Sequence, residues 1–514
     1  MKKILGRLLV VVPALALQFV WFYISFMILN EITYGHVKDI IDFIFSFLAV
    51  IFVIALVAKR DESTYKLLWV IFIMTFPIMG AIFYFAFGNK RTGKELKKKL
   101  LVSSGALPSL YGNFKEKSSG YLKEIGNENP RLAQTLSFLS SNTSFPLMKN
   151  EVAKYYPFGE DMFADMCEEL KKAKHYIYVE YFIIQSGKFW GTMSEIMAER
   201  AAAGVDVRVM YDDLGSIATY SMKEVKELSH KGIKCIPFNP FFLLKSQLNN
   251  RDHRKIMVID GEVAFSGGVN LADEYINEIH PFGRWKDIGF MVKGDAVYSY
   301  AYMFVEFWNA FSNDKIPSVS LNPADGTEKE AEGDGYALPY YDSPMRDEHT
   351  SNILFVETLS TAAGYVWFYT PYLMLGDALY DAFIRAARRG VDVRIIMPGI
   401  PDKKMVFRLS RSYYEDLLKA GVRIFEYSPG FVHAKAFISD DIVAGIGTVN
   451  LDYRSLFLHF ECNSVFYKAG IISDLKKDFE LTQNESREIR LEDTKRGPIQ
   501  KFIDNLLRLI APLL

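Results

Sequence analysis

The chain has 514 residues, more than one ordinary hydrophobic core accommodates, so two or three domains are expected. Its 60 basic and 61 acidic side chains leave a net charge of −1, which argues against a general nucleic-acid binder. The three cysteines, Cys167, Cys235 and Cys462, form no CxxC pair, which excludes a disulfide framework or zinc site of that spacing and fits a reducing compartment.

Three apolar runs occupy most of the first hundred residues. Residues 8–29 carry no charge, residues 40–58 are interrupted only by Asp42, and residues 67–88 contain Pro77. The first run is long enough to cross the roughly 30 Å hydrocarbon layer of a bilayer. We therefore expect residues 1–100 to form a membrane-spanning leader with three transmembrane segments, or with two if the third run is a re-entrant hairpin.

A basic block follows the third run and predicts the orientation of the chain. Positively charged segments beside membrane spans stay in the cytoplasm, so we expect a multi-pass cell-membrane protein whose catalytic part is cytoplasmic. Three spans would then leave the amino terminus outside, whereas Lys2, Lys3 and Arg7 favour the inside, and both topologies stay open. The block comprises Lys90, Arg91, Lys94, Lys97, Lys98 and Lys99.

Beyond residue 101 the pattern alternates between strands and helices. The segment HYIYVEYFII, from His175, predicts a strand, and MSEIMAERAAAG predicts a helix that ends at Gly204. The segments VDVRVMYDD and IKCIPF then predict two further strands. This order, with short connections, predicts a parallel or mixed sheet that is covered by helices.

The same succession recurs downstream and indicates an internal duplication. The word GVDVR begins at Gly204 and again at Gly390, and AGVRIFEY in the second copy corresponds to KGIKCIPF in the first. We predict a first lobe over residues 101–320, a Gly-, Pro- and acid-rich linker over 321–345, and a second lobe over 346–514 that ends in an amphipathic helix.

Each copy also places a histidine and a lysine two residues apart in an apolar run. Side chains two apart on a strand project from the same face, so each pair is expected to face solvent or a cleft. Asp260 and Asp440 fall where a turn begins, which favours bracing of that turn. The glycines of GGVN and GTVN let backbone approach a ligand, and Asn270 and Asn450 are candidates to donate a hydrogen bond to it. The pairs are His253 with Lys255 and His433 with Lys435.

Two His–Lys pairs favour phosphodiester chemistry over metal binding. A metal ion prefers neutral imidazole with carboxylates or thiolates, and an adjacent ammonium repels it, so we expect no metal and no cofactor. Two ammonium groups instead suit an anion with several oxygens. One imidazole can attack phosphorus and the other can protonate the departing alkoxide, provided that both copies meet at one site.

These motifs, HxKxxxxD followed by G-(G/T)-V-N, resemble those of the phospholipase D superfamily. Longer stretches resemble bacterial cardiolipin synthases, namely NNRDHRKIMVIDGEVAFSGGVNLADEY, GRWKDIGF, GTVNLDYRSLFLHFECN and the membrane run from Leu67. The resemblance covers the chain from about residue 40 to its end. It implies an α/β fold of two pseudo-symmetric phospholipase D-like α/β/α sandwich lobes behind an N-terminal transmembrane helical segment, with one metal-free site between the lobes.

The resemblance also implies roles for individual residues. His253 is the expected nucleophile, which forms a phosphatidyl-histidine, and His433 is the expected general acid and then base, although the near-symmetry leaves the reverse assignment open. Asp287 and Glu461 are candidate carboxylates that orient the imidazoles. His459 departs from the family, which carries an asparagine there. Lys255, Lys435, Asn270 and Asn450 are the expected phosphate ligands, and Asp260 and Asp440 complete the catalytic motifs.

The resemblance implies phosphatidyl transfer, in which one phosphatidylglycerol passes its phosphatidyl group to another and yields cardiolipin and glycerol. The alternatives are a membrane-bound phospholipase D-type hydrolase, a transferase that uses another donor lipid, and a non-catalytic scaffold that binds anionic lipid. Two complete motifs argue against the scaffold, because binding alone needs no paired nucleophile and acid. The expected partners are phospholipids and the membrane, with no nucleic acid, and the oligomeric state is left open.

Overall fold

The computed structural model describes the chain from residue 35, which lies after the first apolar run. That run, 8–29, and the basic residues Lys90 and Arg91 lie outside the residues that the structure describes. The described residues are 35–59, 61–88, 93–105, 112–240, 249–317, 333–346 and 348–513.

The chain divides into two compact units whose boundaries differ from the predicted ones. Helix Lys94–Ser104 belongs to the larger unit, where the Ser103 hydroxyl donates to the carbonyl of Glu306 at 2.6 Å, so the leader ends before residue 100. The C-terminal residues, predicted as part of the second lobe, group with the leader. The larger unit is Thr92–Pro240 with Asn249–Pro498, and the smaller is Met1–Arg91 with Phe241–Leu248 and Ile499–Leu514.

The strands of the larger unit fall into two sets, one for each copy of the repeat. The first set is β1 Met148–Tyr156, β2 Tyr176–Tyr181, β3 Asp206–Asp212, β4 Lys234–Phe238, β5 Lys255–Ile259, β6 Val263–Gly267, β7 Arg284–Lys286 and β8 Gly289–Gly294. The second set is β9 Tyr336–Asp342, β10 Tyr365–Tyr369, β11 Asp392–Pro398, β12 Arg423–Tyr427, β13 Gly430–Val432, β14 Ala436–Ser439, β15 Val443–Gly447, β16 Glu461–Tyr467 and β17 Ser486–Glu488.

Fifteen of the described strands form one continuous mixed sheet, in the order β17-β12-β11-β10-β14-β15-β16-β9-β1-β8-β6-β5-β2-β3-β4. From the central antiparallel pair of β1 and β9, the order outwards is β8-β6-β5-β2-β3-β4 on one side and β16-β15-β14-β10-β11-β12 on the other. Corresponding strands therefore occupy corresponding places, and the predicted duplication is present in the topology.

Strand β9 lies inside the range 321–345 that was predicted as a linker. It pairs antiparallel with β16 from Tyr336 to Asp342, and all but its first residue are buried. The glycines and acidic residues that suggested a linker precede this apolar ALPYY segment, so only the earlier part of the range connects the two copies.

Helices cover both faces of the sheet, which gives the first copy its three layers. Adjacent strand residues face opposite sides, and on β2 the ring of Tyr178 stacks on Phe304 at 4.7 Å while Ile177 and Val179 join a core with Met193. The helices of the larger unit are Lys94–Ser104, Gly112–Glu128, Pro130–Thr143, Gly159–Lys172, Lys188–Ala202, Met222–His230, Ala296–Phe311, Thr350–Thr361, Asp377–Arg388, Lys404–Ser412, Tyr414–Ala420, Tyr453–Phe457 and Ile471–Asn484.

The leader is helical where it is described, and Pro77 breaks its third apolar run. Because proline lacks the N–H that a helix interior needs, the helix Ser63–Thr75 ends before it. No described helix combines the length and the apolar character that crossing a membrane requires. The helices of the smaller unit are Gly35–Val57, Ser63–Thr75, Pro77–Phe83, a π-helical turn Tyr84–Gly88 and Pro498–Ile510.

Candidate active site

Each motif histidine is docked by its backbone onto a segment of the other copy. The His253 N–H donates to the carbonyl of Phe460 at 2.8 Å, next to a β-bridge between Asp252 and Phe460. The His433 N–H donates to the carbonyl of Lys286 at 2.7 Å, directly after β13 pairs in parallel with β7. The two copies therefore pair short segments with each other at these points, and both histidines lie at the junction between the lobes.

The side chain of each motif histidine also contacts a carboxylate of the other copy. Nδ1 of His253 lies 2.8 Å from Oε2 of Glu461, and Nδ1 of His433 lies 2.6 Å from Oδ2 of Asp287. Both carboxylates are fully buried. Where the carboxylate is ionised it accepts from Nδ1 and leaves Nε2 for chemistry. Nζ of Lys435 also lies 2.8 Å from Nδ1 of His433, and burial raises the pKa of Glu461 well above its usual value.

The two carboxylates are held differently. The hydroxyl of Thr448 donates to Oε2 of Glu461 at 2.5 Å. Gly268 occupies the corresponding position in the first copy, and a Cβ there would lie 2.1 Å from Oδ1 of Asp287. The glycine, which was expected to admit a ligand, instead makes room for the carboxylate that contacts His433.

Both lysines are buried in the site rather than open to solvent. Lys255 donates from Nζ to the carbonyl of His253 at 2.8 Å, and Lys435 donates to the carbonyl of His433. Burial lowers the pKa of Lys435 to about 7, and the neighbouring Lys255 adds to the decrease. The carboxylates of Asp287 and Glu461 act on both ammonium groups, but neither lysine forms an ion pair within 4 Å among the described residues, which suits the two lysines to an anionic ligand.

Burial and the lysines also favour the neutral form of both imidazoles. Burial lowers the pKa of His433 to about 4, and Lys435 adds to this effect. Burial lowers the pKa of His253 well below its usual value, with further contributions from Lys255 and Lys435. A neutral imidazole is the form that can attack an electrophile without prior loss of a proton.

Asp260 and Asp440 face away from the imidazoles and brace turns, as their positions suggested. The Asp260 carboxylate accepts backbone N–H bonds from residues 174, 175 and 176 at 2.7, 2.8 and 2.8 Å. Asp440 accepts three corresponding bonds from residues 363–365. At about 3.3 Å per strand residue, Asp260 lies roughly 16 Å along β5 from Lys255. This geometry supports a structural role and no contact with substrate.

We therefore predict that Asp260→Ala lowers the free energy of unfolding by about 1–3 kcal/mol, because three N–H groups lose a charged acceptor. The rate constant per folded molecule should stay within about threefold of the wild type, since the side chain does not reach the site. Thermal melts followed by circular dichroism measure the first quantity. Asp441→Ala is the control, because its carboxylate pairs with the partly exposed Lys476. A variant of normal stability that loses turnover would contradict the structural role.

The two asparagines predicted to bind phosphate have different surroundings. Asn270 accepts from the Ile183 N–H at 3.2 Å and donates to the Tyr275 hydroxyl at 2.7 Å, so both of its polar atoms are engaged. Asn450 is also buried, but its Oδ1 has no hydrogen-bond partner among the described residues. A phosphate contact from Asn270 would have to replace a bond within the lobe.

A buried ionic cluster around His253 was not anticipated from the sequence. Arg254 contacts Glu180 at 2.5 Å and Asp252 at 3.2 Å, and all three side chains are fully buried. Arg251 lies 3.7 Å from the buried Asp212. The sequence signal for this cluster was the presence of charged residues in VEY and RDHR inside apolar runs. The ion pairs fix the chain on both sides of His253.

Two family descriptions match this chain. The description cardiolipin synthase, PLD-like domain, matches residues 166–287 and again 355–482. The description phospholipase D-nuclease N-terminal matches residues 44–89.

Relatives match nearly the whole chain. A cardiolipin synthase of Alkalihalophilus pseudofirmus is 33% identical over 473 residues, which cover 91% of this chain and 92% of that protein. An uncharacterized protein of Streptococcus mutans is 41% identical over 466 residues, covering 90% and 99%. The crystal structure of a Haemophilus influenzae phosphatidylserine synthase matches with a TM-score of 0.58 and 13% identity, over 74% of this chain and 100% of that one. The likeness to that structure shows a shared α/β fold.

Proposed function

The chain belongs to the cardiolipin synthase family of phospholipase D-like phosphatidyltransferases, and on that premise we propose that it makes cardiolipin from two molecules of phosphatidylglycerol. One observation carries the proposal: each motif histidine bonds a carboxylate of the other copy, His253 to Glu461 and His433 to Asp287. This exchange supports a single site in which two imidazoles act on one phosphorus atom.

The proposed reaction has two displacement steps. Nε2 of His253 attacks the donor phosphorus, the P–O bond to glycerol breaks, and His433 protonates the departing oxygen. The hydroxyl of a second phosphatidylglycerol then forms a P–O bond while the P–N bond breaks, and its proton passes to His433. The phosphodiester charge between Lys255 and Lys435 favours the protonated form of His433, because an anion raises the pKa of nearby cationic acids.

A lipid analysis tests the proposal directly. Purified protein in mixed micelles with acyl-labelled phosphatidylglycerol should yield labelled cardiolipin and release glycerol. Phosphatidic acid as the sole product would establish hydrolysis, the second candidate function, and would overturn the synthase proposal. Transfer only from another donor, such as phosphatidylethanolamine, would overturn the choice of donor lipid.

The pH dependence should reflect Lys435. Because its pKa is lowered to about 7, the free enzyme loses this ammonium as pH rises through neutrality, and binding of an anionic lipid should weaken. We expect kcat/KM for the donor lipid to fall above about pH 7 in micelle assays. Lys435→Arg should move this alkaline limb to higher pH, since guanidinium stays charged. Lys477→Arg, which changes an exposed lysine, is the control and should leave the alkaline limb in place. An alkaline limb that Lys435→Arg also leaves unchanged would contradict its assignment to Lys435.

We also propose that the leader attaches the enzyme to the membrane that holds its substrates, as a multi-pass segment with the catalytic unit in the cytoplasm. Along helix Gly35–Val57 large apolar side chains stay exposed, with Phe43 at 70% and Ile54 at 64%. Exposed apolar surface of this kind is characteristic of contact with lipid or another apolar surface. Flotation of the protein with vesicles, compared with a chain that lacks the leader, measures the attachment.

A further inference from the structure

Lys286, the residue directly before Asp287, is held by the second copy through both its backbone and its side chain. Its carbonyl accepts the N–H of His433 at 2.7 Å. Its ammonium contacts Oδ1 of Asp478 in the second copy at 2.6 Å, and it also donates to the carbonyl of Pro157 at 2.7 Å. The peptide that carries Asp287 into the site is therefore fixed from two directions.

Asp478 collects its donors from both copies of the repeat. It lies on helix Ile471–Asn484, and its Oδ2 accepts from the hydroxyl of Tyr155 at 2.7 Å and from that of Tyr369 at 3.1 Å. Tyr155 belongs to β1 of the first copy, and Tyr369 belongs to β10 of the second. Both tyrosines, Lys286 and Asp478 are buried, so this carboxylate joins the two copies away from solvent.

The ion pair depends on both of its charges because it is buried. Burial lowers the pKa of Lys286, and the charge of Asp478 opposes the decrease. A buried ammonium that loses its counter-charge either gives up its proton or moves towards water. Either change loosens the anchor on the peptide before Asp287.

This cluster adjoins the carboxylate that contacts the proposed general acid. Burial raises the pKa of Tyr155, and the charges of Asp478 and Asp287 both add to the increase. Oδ2 of Asp287 lies 2.6 Å from Nδ1 of His433. Because misplacement of a catalytic group by about 1 Å can lower a rate by about 10²-fold, loosening this peptide is expected to affect proton transfer.

The corresponding peptide of the second copy is anchored by different chemistry. Phe460 directly precedes Glu461, and its carbonyl accepts the N–H of His253 as that of Lys286 does in the other copy. The ring of Phe460 packs against Phe307 with the centres 5.1 Å apart. An apolar contact therefore anchors the side of the proposed nucleophile, and a buried ion pair anchors the side of the proposed acid.

We propose that Asp478 is a positioning residue for the general acid of the reaction. It acts through Lys286, which holds Asp287 against His433. The inference rests on the proposed function and deepens it, because His433 is the acid in that mechanism. In the step concerned, Nε2 of His253 bonds phosphorus, the P–O bond to glycerol breaks, and a proton moves from Nε2 of His433 to the departing oxygen.

Two donors that differ in their leaving group test the inference. Phosphatidylglycerol needs a proton on its departing glycerol, whereas phosphatidyl-p-nitrophenol releases a stable phenolate without one. In full-length Asp478→Asn in micelles, kcat for glycerol release should fall about 10- to 100-fold with KM within about twofold of the wild type. The first-turnover release of nitrophenol should stay within about threefold of the wild type, because attack by His253 needs no acid there.

Asp165→Asn is the matched control. Asp165 also joins a tyrosine of β1, Tyr156 at 2.6 Å, to a lysine, Lys154, and its replacement should leave both rates near the wild type. Equal slowing of both donors by Asp478→Asn would show a purely structural role and overturn the inference, as would wild-type rates with both. Phosphatidic acid as the only wild-type product would overturn the transfer function alone, because glycerol departs with the same proton in hydrolysis.

A double variant checks that Asp478 acts through Asp287. Adding Asp478→Asn to Asp287→Asn should lower kcat for glycerol release by less than about twofold further, and a full multiplication of the two losses would contradict the inference. If Asp478→Asn fails a thermal-melt check for folding, Lys286→Met combined with Asp478→Asn takes its place, since that pair leaves no unpaired buried charge. The same loss with phosphatidylglycerol alone is expected, and equal loss or no loss with both donors overturns the inference.

Discussion

Replacing either His253 or His433 by alanine is expected to lower the rate of phosphatidyl transfer by at least about 10³-fold. The first replacement removes the proposed nucleophile, and the second removes the group proposed to protonate the leaving oxygen and to activate the incoming alcohol. Because the two residues act in one sequence of steps, the double variant should be little slower than either single one. Initial rates with labelled phosphatidylglycerol measure all three.

The matched control is His230→Ala, which changes an exposed histidine at the end of helix Met222–His230. Its rate should match that of the wild type, and its melting curve should show how much an alanine replacement disturbs the protein. A fully active His253→Ala or His433→Ala would remove that residue from the mechanism.

The second large effect is expected from the exchanged carboxylates. Glu461→Gln and Asp287→Asn keep the size of each side chain but lose the charge that fixes the Nδ1 proton and stabilises imidazolium. We expect each to lower kcat about 10²- to 10⁴-fold, the range in which loss of an orienting carboxylate falls. Glu278→Gln, at an exposed ion pair with Lys188, is the control and should stay near the wild-type rate.

Double variants show which carboxylate serves which histidine. Adding Glu461→Gln to His253→Ala should lower the rate of phosphatidyl transfer almost no further, because the carboxylate acts through an imidazole that this variant lacks. Adding Asp287→Asn to His433→Ala should behave in the same way. Carboxylate variants with rates near that of Glu278→Gln would contradict the orienting role.

Much of the fold followed from periodicity and repetition. The strands β2, β3, β4, β11 and β12 were predicted from runs of β-branched and aromatic residues and from the repeat, and the structure confirms them. Strand β9 was missed because nearby glycines and acidic residues dominated the composition of its range. Local pattern identifies an element, but the pairing of β9 with β1 and β16 depends on the whole sheet.

The candidate site was predictable as a set of residues and not as a set of pairs. Spacing placed Asp287 after the first motif and Glu461 after the second, without showing which imidazole each one meets. The bridge between Asp252 and Phe460 and the pairing of β13 with β7 exchange these partners across the copies. Such an exchange arises from the packing of two lobes, which no single run of residues records.

A donor that needs no protonation of its leaving group tests the single shared site most directly. Phosphatidyl-p-nitrophenol with a phosphorus label should release one equivalent of nitrophenol per chain from His433→Ala, as the P–N bond to His253 forms and the P–O bond to nitrophenol breaks. The label should lie on the peptide that contains His253 and on neither lysine. The same donor should give no such burst with His253→Ala. Two equivalents of bound label per chain in quenched wild-type samples, with label on both histidine peptides at once, would show two separate sites and contradict the account.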